Sequence, residues 1–399
     1  MATLAKGVFV VAAKRTPFGT YGGAFVKTSA LELQEVAAKA ALAAGNVAPE
    51  KIDQVIIGHV MANTSPDGVI VPRHVLLRSG IPQDRPAYAV NRLCGSGFQS
   101  VVNGVQSILV GESEIVLTGG VDNMSQAPYA VRNVRFGAPP LGTRINFEDT
   151  LWEGLTDTYC KLAMGQTAEK LAEKYNLTRA EVDAFGLRSQ QLWKKAHDEG
   201  RFKEELAPVT VTIKRKQVVV EFDEHPRPQT TIEGLQKLPT VFKKDGVVTA
   251  GTSSGICDGA GAVILASEKA VKENNLTPLA RIVACTVVGV DPSIMGIGPA
   301  PAITNVLKVS GKSLNDIDMV EINEAFGAQT LSCAKELKLD LNKLNPDGGA
   351  IALGHPLGAS GSRITAHLVH ELRRRKAKYG IGSACIGGGQ GIAVMLESC

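Results

Sequence analysis

The sequence predicts an α/β protein made of two similar halves and one insertion. Three observations carry that reading. Apolar, β-rich runs alternate with helical stretches along the chain. The order strand, reactive side chain, helix, strand, glycine cluster occurs twice. The middle of the chain breaks that order.

The first half covers 1–120. Runs of strand character lie at 8–13, 55–60 and 115–118, and helical stretches at 30–44 and 98–109. About forty residues after the strand beginning at Asp53 comes Cys94-Gly95-Ser96-Gly97, then a helix, a strand and Gly119-Gly120. The second half covers 275–399. There the strand at 319–322 precedes His355, a helix at 361–375, a strand at 379–383 and Gly387-Gly388-Gly389, with a last strand at 392–396. The segment 121–245 is rich in charge and proline, with a helical stretch at 180–199, and reads as an insertion draped over the first half. Residues 246–274 read as the return to that half, through 247–250 and the strand 263–266.

A chain of 399 residues has room for large cores without disulfide or metal staples. Charged residues are 21%, an ordinary soluble composition. No apolar run reaches the roughly 18 residues of a membrane span. A net charge of +4 and 5% aromatics argue against nucleic acid and leave room for an anionic small ligand. The seven cysteines show no CxxC pairing, so neither a zinc site nor a disulfide framework is expected.

Cys94 stands just before a helix start. Free N–H groups and the helix dipole there favour thiolate and can hold an oxyanion. His355, in Gly354-His355-Pro356, is fixed by its neighbours, and the repeat sets it opposite Cys94. A positioned histidine activates a thiol nucleophile. Cys385, at a strand end before three glycines, suits an acid/base thiol or a redox partner of Cys94. Asn323 follows a strand and can position a water or donor near a carbonyl oxygen, or cap a helix. Glu324 beside it can orient a histidine. His59, His74, His197, His225, His367 and His370 have no such setting and read as structural or solvated. Gly251-Thr252-Ser253-Ser254-Gly255 fits G-x-S-x-G but lacks the strand-to-helix context of a hydrolase elbow. Walker, dinucleotide-fingerprint and HExxH patterns are absent, which disfavours nucleotide-driven, NAD and zinc chemistry.

Asn91-Arg92-Leu93-Cys94-Gly95-Ser96-Gly97, Asn323-Glu324-Ala325-Phe326, Gly354-His355-Pro356 and Cys385-Ile386-Gly387-Gly388-Gly389 occur in the order and spacing of the thiolases. The opening at 11–19 and the run 255–261 resemble thiolases too. The resemblance covers essentially the whole chain. Residues 125–129 and 227–231 resemble the mitochondrial 3-ketoacyl-CoA branch of the family.

The resemblance implies a thiolase fold, with two layered α/β/α halves related by a pseudo-twofold and a loop domain (121–245) that binds coenzyme A. It implies an acyltransferase that cleaves 3-ketoacyl-CoA with CoA as co-substrate, the last step of fatty acid β-oxidation, and no permanently bound cofactor or metal. Cys94 becomes the acyl-enzyme and His355 activates it. Asn323, through a water, and His355 form one oxyanion site. The N–H groups of Cys94 and Gly387 form a second. Cys385 is the acid/base. Arg227, Thr230 and Ser254 match CoA contacts. A homodimer or homotetramer is implied. Gly327, where the family often has alanine, is a small-for-small departure. Alternatives are an acetoacetyl-CoA thiolase acting in synthesis, a decarboxylating condensing enzyme (disfavoured because Asn323 stands where a second histidine is needed), and a non-catalytic acyl-CoA or lipid carrier.

No acidic residue precedes Glu32, while Lys6, Lys14, Arg15 and Lys27 are basic, a mitochondrial bias. Because 8–13 reads as a buried strand, the expectation is an uncleaved N-terminus and a mitochondrial matrix location, with the cytosol as alternative. The C-terminus is not an SKL-type address.

Overall fold

The computed structural model describes residues 7–137 and 139–399; Lys6 lies outside them. In chain order the main strands are β1 (Val8–Arg15), β2 (Gln54–His59), β3 (Ala87–Val90), β4 (Ile115–Asn123), β5 (Cys257–Ser267), β6 (Ala280–Gly289), β7 (Met319–Ile322), β8 (Tyr379–Ile386) and β9 (Gln390–Ser398). The main helices are α1 (Ala30–Ala44), α2 (Ser96–Val110), α3 (Met164–Lys174), α4 (Arg179–Asp198), α5 (Pro299–Ser310), α6 (Gly327–Leu337) and α7 (Ser360–Arg375). The spatial strand order is β7-β8-β9-β6-β1-β5-β4-β2-β3. The two halves meet at β1 and β6, which pair antiparallel through Phe9↔Arg281 and Val10↔Ala280.

The repeat is visible in this order. In the first half β2 runs parallel to β3 and β4, and β4 is antiparallel to β5. In the second half β7 is parallel to β8, and β8 is antiparallel to β9. A parallel bridge from Val320 to Leu344 stands where the first half has β3.

Side-chain alternation explains the layers. Along β5, Ala260, Ala262, Ile264 and Ala266 face one core with α1, while Val263 and Leu265 face another. That second core is shared: Phe98 and Val101 of α2 meet Ile364 and Leu368 of α7, with Ile282 and Val394 from the other half. A third core sits on the far side of the second half, under α5 and α6. Helix, sheet, paired helices, sheet, helix is the resulting stack. The fold is the two-half layered α/β architecture expected.

The central helices pack backbone to backbone. A Cβ on Gly97 would lie 2.6 Å from Ser362 N and 2.7 Å from Gly358 O. Only glycine tolerates that approach.

The insertion differs from expectation. Its hairpin, through Val209 and Val211, does pack on the first half. Ala168, Leu171, Val182 and Phe185 of α3 and α4 instead join the core of the second half. Both helices are amphipathic, and their apolar faces meet α6 in that core. The return also differs: 247–250 does not enter the sheet, and the long strand starts at Cys257. No described helix is long and apolar enough to cross a membrane.

Candidate active site

Four chain segments converge at the ends of the strands and central helices. Cys94 lies before α2. Leu93, immediately before it, has φ +45°, an uncommon conformation for a branched side chain and a local strain that aims the next residue. The turn is tied down by Asn91 Oδ1, which accepts from Leu93 N at 3.0 Å, and by Ser96 Oγ, which donates to Leu93 O at 2.7 Å. The N–H groups of Gly387 and of Cys94 itself point to the thiol. They favour the thiolate, one from the turn after β8 and one from the turn before α2. Burial outweighs them and pushes the Cys94 thiol up to about 11. The expected thiolate is therefore not the resting form. The thiol needs a base.

His355 lines the same cavity as Cys94 and can serve as one. The Ser360 hydroxyl donates to Pro356 O at 2.9 Å, so its oxygen accepts from His355 Nδ1–H at 2.5 Å. That network assigns the proton to Nδ1 and leaves Nε2 as the acceptor. Asn323 Nδ2 approaches Nε2 at 3.3 Å. Burial, with repulsion from Arg363, lowers the His355 pKa to about 3, so the ring is neutral at physiological pH. Asn323 Oδ1 is buried and has no protein partner, which fits a bound water.

Cys385 ends β8, fully buried beside Met295 and Ala325. Burial, then the Cys94 and Cys333 thiols, push its pKa well above the ordinary thiol value. It rests as a protonated thiol.

Glu324 does not orient His355. Its buried carboxylate accepts from Ser189 Oγ at 2.6 Å, Asn345 Nδ2 at 2.8 Å and Ile351 N at 3.2 Å. It thereby fixes the loop that leads to the histidine. Asp122 was not singled out from sequence. It ends β4 and accepts from Met61 N at 2.8 Å, His59 Nδ1 at 3.1 Å and Gly358 N at 2.6 Å, joining the first half to the histidine loop. Ser360 was likewise missed; its place one turn past a His-Pro pair was the available signal.

Cys94, Ser254 and His355 line one cavity of about 180 Å³. Its walls are mostly apolar, and Trp152, Met164 and Phe242 of the insertion cover it. Ser254 N donates to Ala325 O at 3.0 Å, and His355 N to Gly255 O at 2.9 Å, so the extended segment 253–255 stitches two motifs together. Arg227 and Thr230 do not line this cavity. They close a turn in which Thr230 Oγ1 donates to Arg227 O at 2.7 Å. The turn starts at the rim, where the His225 ring packs on Gly255.

Family models for the thiolase N-terminal domain and the thiolase C-terminal domain match residues 8–269 and 276–398. The chain belongs to the thiolase family. It is 62% identical over 395 residues to the human protein named 3-ketoacyl-CoA thiolase, mitochondrial, covering 99% of each chain. An acetyl-CoA acetyltransferase of Syntrophomonas wolfei is 41% identical, covering 99% of this chain and all of that one. Among solved structures, human mitochondrial 3-ketoacyl-CoA thiolase superposes with a TM-score of 0.98 at 61% identity, covering 99% of this chain and 100% of that one. The same human enzyme in complex with CoA gives 0.96, covering 100% and 99%. This thiolase is accordingly an acyltransferase, and the fold is the thiolase fold.

Proposed function

We propose that the chain cleaves 3-ketoacyl-CoA with coenzyme A, giving acetyl-CoA and an acyl-CoA two carbons shorter, through an acyl-enzyme on Cys94. The observation that carries this is the pairing of a neutral, buried His355 with the protonated Cys94 thiol at one apolar cavity, with the protonated Cys385 thiol packed behind its Met295 and Ala325 walls. A neutral base and a neutral acid are what carbon–carbon cleavage beside a thioester requires.

His355 Nε2 takes the Cys94 proton, and the sulfur attacks the 3-keto carbon. The C2–C3 bond breaks. The electrons pass to the thioester oxygen, held by protonated His355 and a water on Asn323. Cys385 then gives its proton to C2, releasing acetyl-CoA. In the second half, Cys385 as thiolate deprotonates incoming CoA. The CoA sulfur attacks the Cys94 thioester, and the N–H groups of Cys94 and Gly387 hold the developing oxyanion. Cys94 leaves and recovers its proton from His355.

The loop domain 121–245 is the CoA side of the site in this reading. Ser254 meets the pantetheine end at the cavity, and Arg227 and Thr230 at the rim meet the nucleotide end. The relatives named mitochondrial support a mitochondrial location, and the family resemblance supports a homodimer or homotetramer. CoA is a co-substrate, with no resident cofactor.

The test is loss of the 3-ketoacyl chromophore with acetoacetyl-CoA and with longer 3-ketoacyl-CoAs, with and without CoA. Cleavage should require CoA and fall by at least roughly 10³-fold in Cys94→Ser. A rate confined to acetoacetyl-CoA would favour the short-chain synthetic reading. A folded wild type without any cleavage would leave the carrier reading.

A further inference from the structure

The two N–H donors assigned to the acyl oxygen come from different halves of the molecule. The Cys94 N–H sits in the turn before α2, and the Gly387 N–H in the turn that joins β8 to β9; both point to the Cys94 sulfur. No element runs through both turns, so their spacing depends on what passes between them. Two of the contacts are apolar. A Cβ on Gly95 would lie 2.5 Å from Ile386 Cδ1, and one on Gly387 would lie 3.1 Å from Leu93 Cδ1. Another is polar and directional: Arg92 Nη1 donates to Gln390 Oε1 at 2.6 Å. Arg92 is itself pinned into the Cys94 turn. Its N–H donates to Ser96 Oγ at 2.8 Å, and its carbonyl accepts from Gly95 N at 3.0 Å. Gln390 pairs with Ile386 where the β8–β9 hairpin closes. Between them Gly388 and Gly389 have φ of +77° and +86°, which glycine adopts freely, so the turn has little stiffness of its own.

An oxygen held by two donors is sensitive to their separation, because each must stay within hydrogen-bond reach of the place where charge develops. A misplacement of about 1 Å can cost a factor of about 100 in rate. We propose that Arg92 is a positioning residue for the acyl carbonyl: through Gln390 it sets the spacing of the Cys94 and Gly387 N–H groups. The proposal rests on the acyl-enzyme reading of Cys94. Neither Arg92 nor Gln390 lines the Cys94 cavity, so the pair acts through the two turns. The other oxyanion site, at Asn323 and His355, is built on different segments and is not held by this pair.

The test reads the carbonyl itself. Acetoacetyl-CoA carrying carbon-13 at C3, without added CoA, leaves the label on the Cys94 thioester. Its C=O stretch is then read by isotope-edited infrared difference spectroscopy. Hydrogen bonds to the oxygen lower that stretch. In Gln390→Ala it should move to higher wavenumber, and kcat for CoA-dependent cleavage should fall at least about tenfold. Gln390 is half-buried and the truncation adds no volume, so the fold should hold. Arg92→Met is the second variant and is read in the same way. The double variant should lose no more than the larger single loss, because both substitutions remove one contact. Cleavage by wild type is established first, so a failure of the acyl-enzyme reading shows there and not in the variants. With wild type active, an unmoved carbonyl stretch, a rate loss without that shift, or additive losses in the double variant would each overturn the role of Arg92.

Discussion

At the scale of single residues, the thiol proposed as nucleophile shares its cavity with a histidine that burial holds neutral. Cys94 rests as a thiol near 11 and His355 as an imidazole near 3. The unfolded chain binds a proton at this histidine below about 6.5, and the folded chain refuses it until about 3. Its contribution to stability is therefore full above 6.5 and is lost as pH falls from there toward 3. Between pH 7 and 5 the wild type should lose roughly 2 kcal/mol more than His355→Asn, read from urea midpoints at the two values. An equal loss in both proteins would mean that the ring is not held neutral. The candidate side chains stood out in the sequence, because cysteine and histidine among glycines are rare arrangements, and the structure brings Cys94 and His355 to one cavity. What holds them did not stand out. Leu93 at φ +45°, Ser360 on Nδ1 and Asp122 across the halves are ordinary residues whose role appears only when distant segments meet.

Among elements, α2 and α7 matter most. They begin at the two motifs and touch through glycine backbones. Gly97→Ala would force its Cβ against Ser362 N and Gly358 O, neither of which is a flexible side chain. We expect a destabilisation of at least about 1–3 kcal/mol by thermal or denaturant unfolding. The displaced Gly358 would carry the His355 loop with it, so kcat should fall beyond the loss of folded protein. A kcat per folded molecule equal to wild type would show that the two helix starts move independently. Most of the strands and these two helices were readable from hydrophobic period and glycine position; β3 (Ala87–Val90) and β6 (Ala280–Gly289) were not. The packing of α3 and α4 was not, since an amphipathic helix declares that it has a partner without declaring which one.

Over the whole molecule, one buried ion cluster ties all three parts. Arg15 of β1 pairs with Glu205 at 2.7 Å and Asp223 at 2.6 Å, both from the insertion. Glu205 accepts from His367 Nδ1 of α7 at 2.9 Å. Burial alone would lower the His367 pKa, but Glu205 and Asp347 hold it well above 6.5, so the cluster keeps both signs of charge. Removing one partner leaves the others buried and unpaired. Arg15→Met should cost about 3–5 kcal/mol in denaturant unfolding, with activity tracking the folded fraction. A loss under 1 kcal/mol would mean that the parts are held by packing alone. The sequence placed Arg15 in a basic N-terminal stretch and a family-like opening but not in an ion cluster, because its partners lie about 200 residues away. The seat of β1 between β5 and β6 also has a consequence for synthesis. Once β1 has left the ribosome it has no sheet partner until roughly 250 more residues have emerged, some 12–50 s at about 5–20 residues per second. During that interval an apolar strand with both edges bare is exposed in the nascent chain, and it is a natural client segment for a holding chaperone.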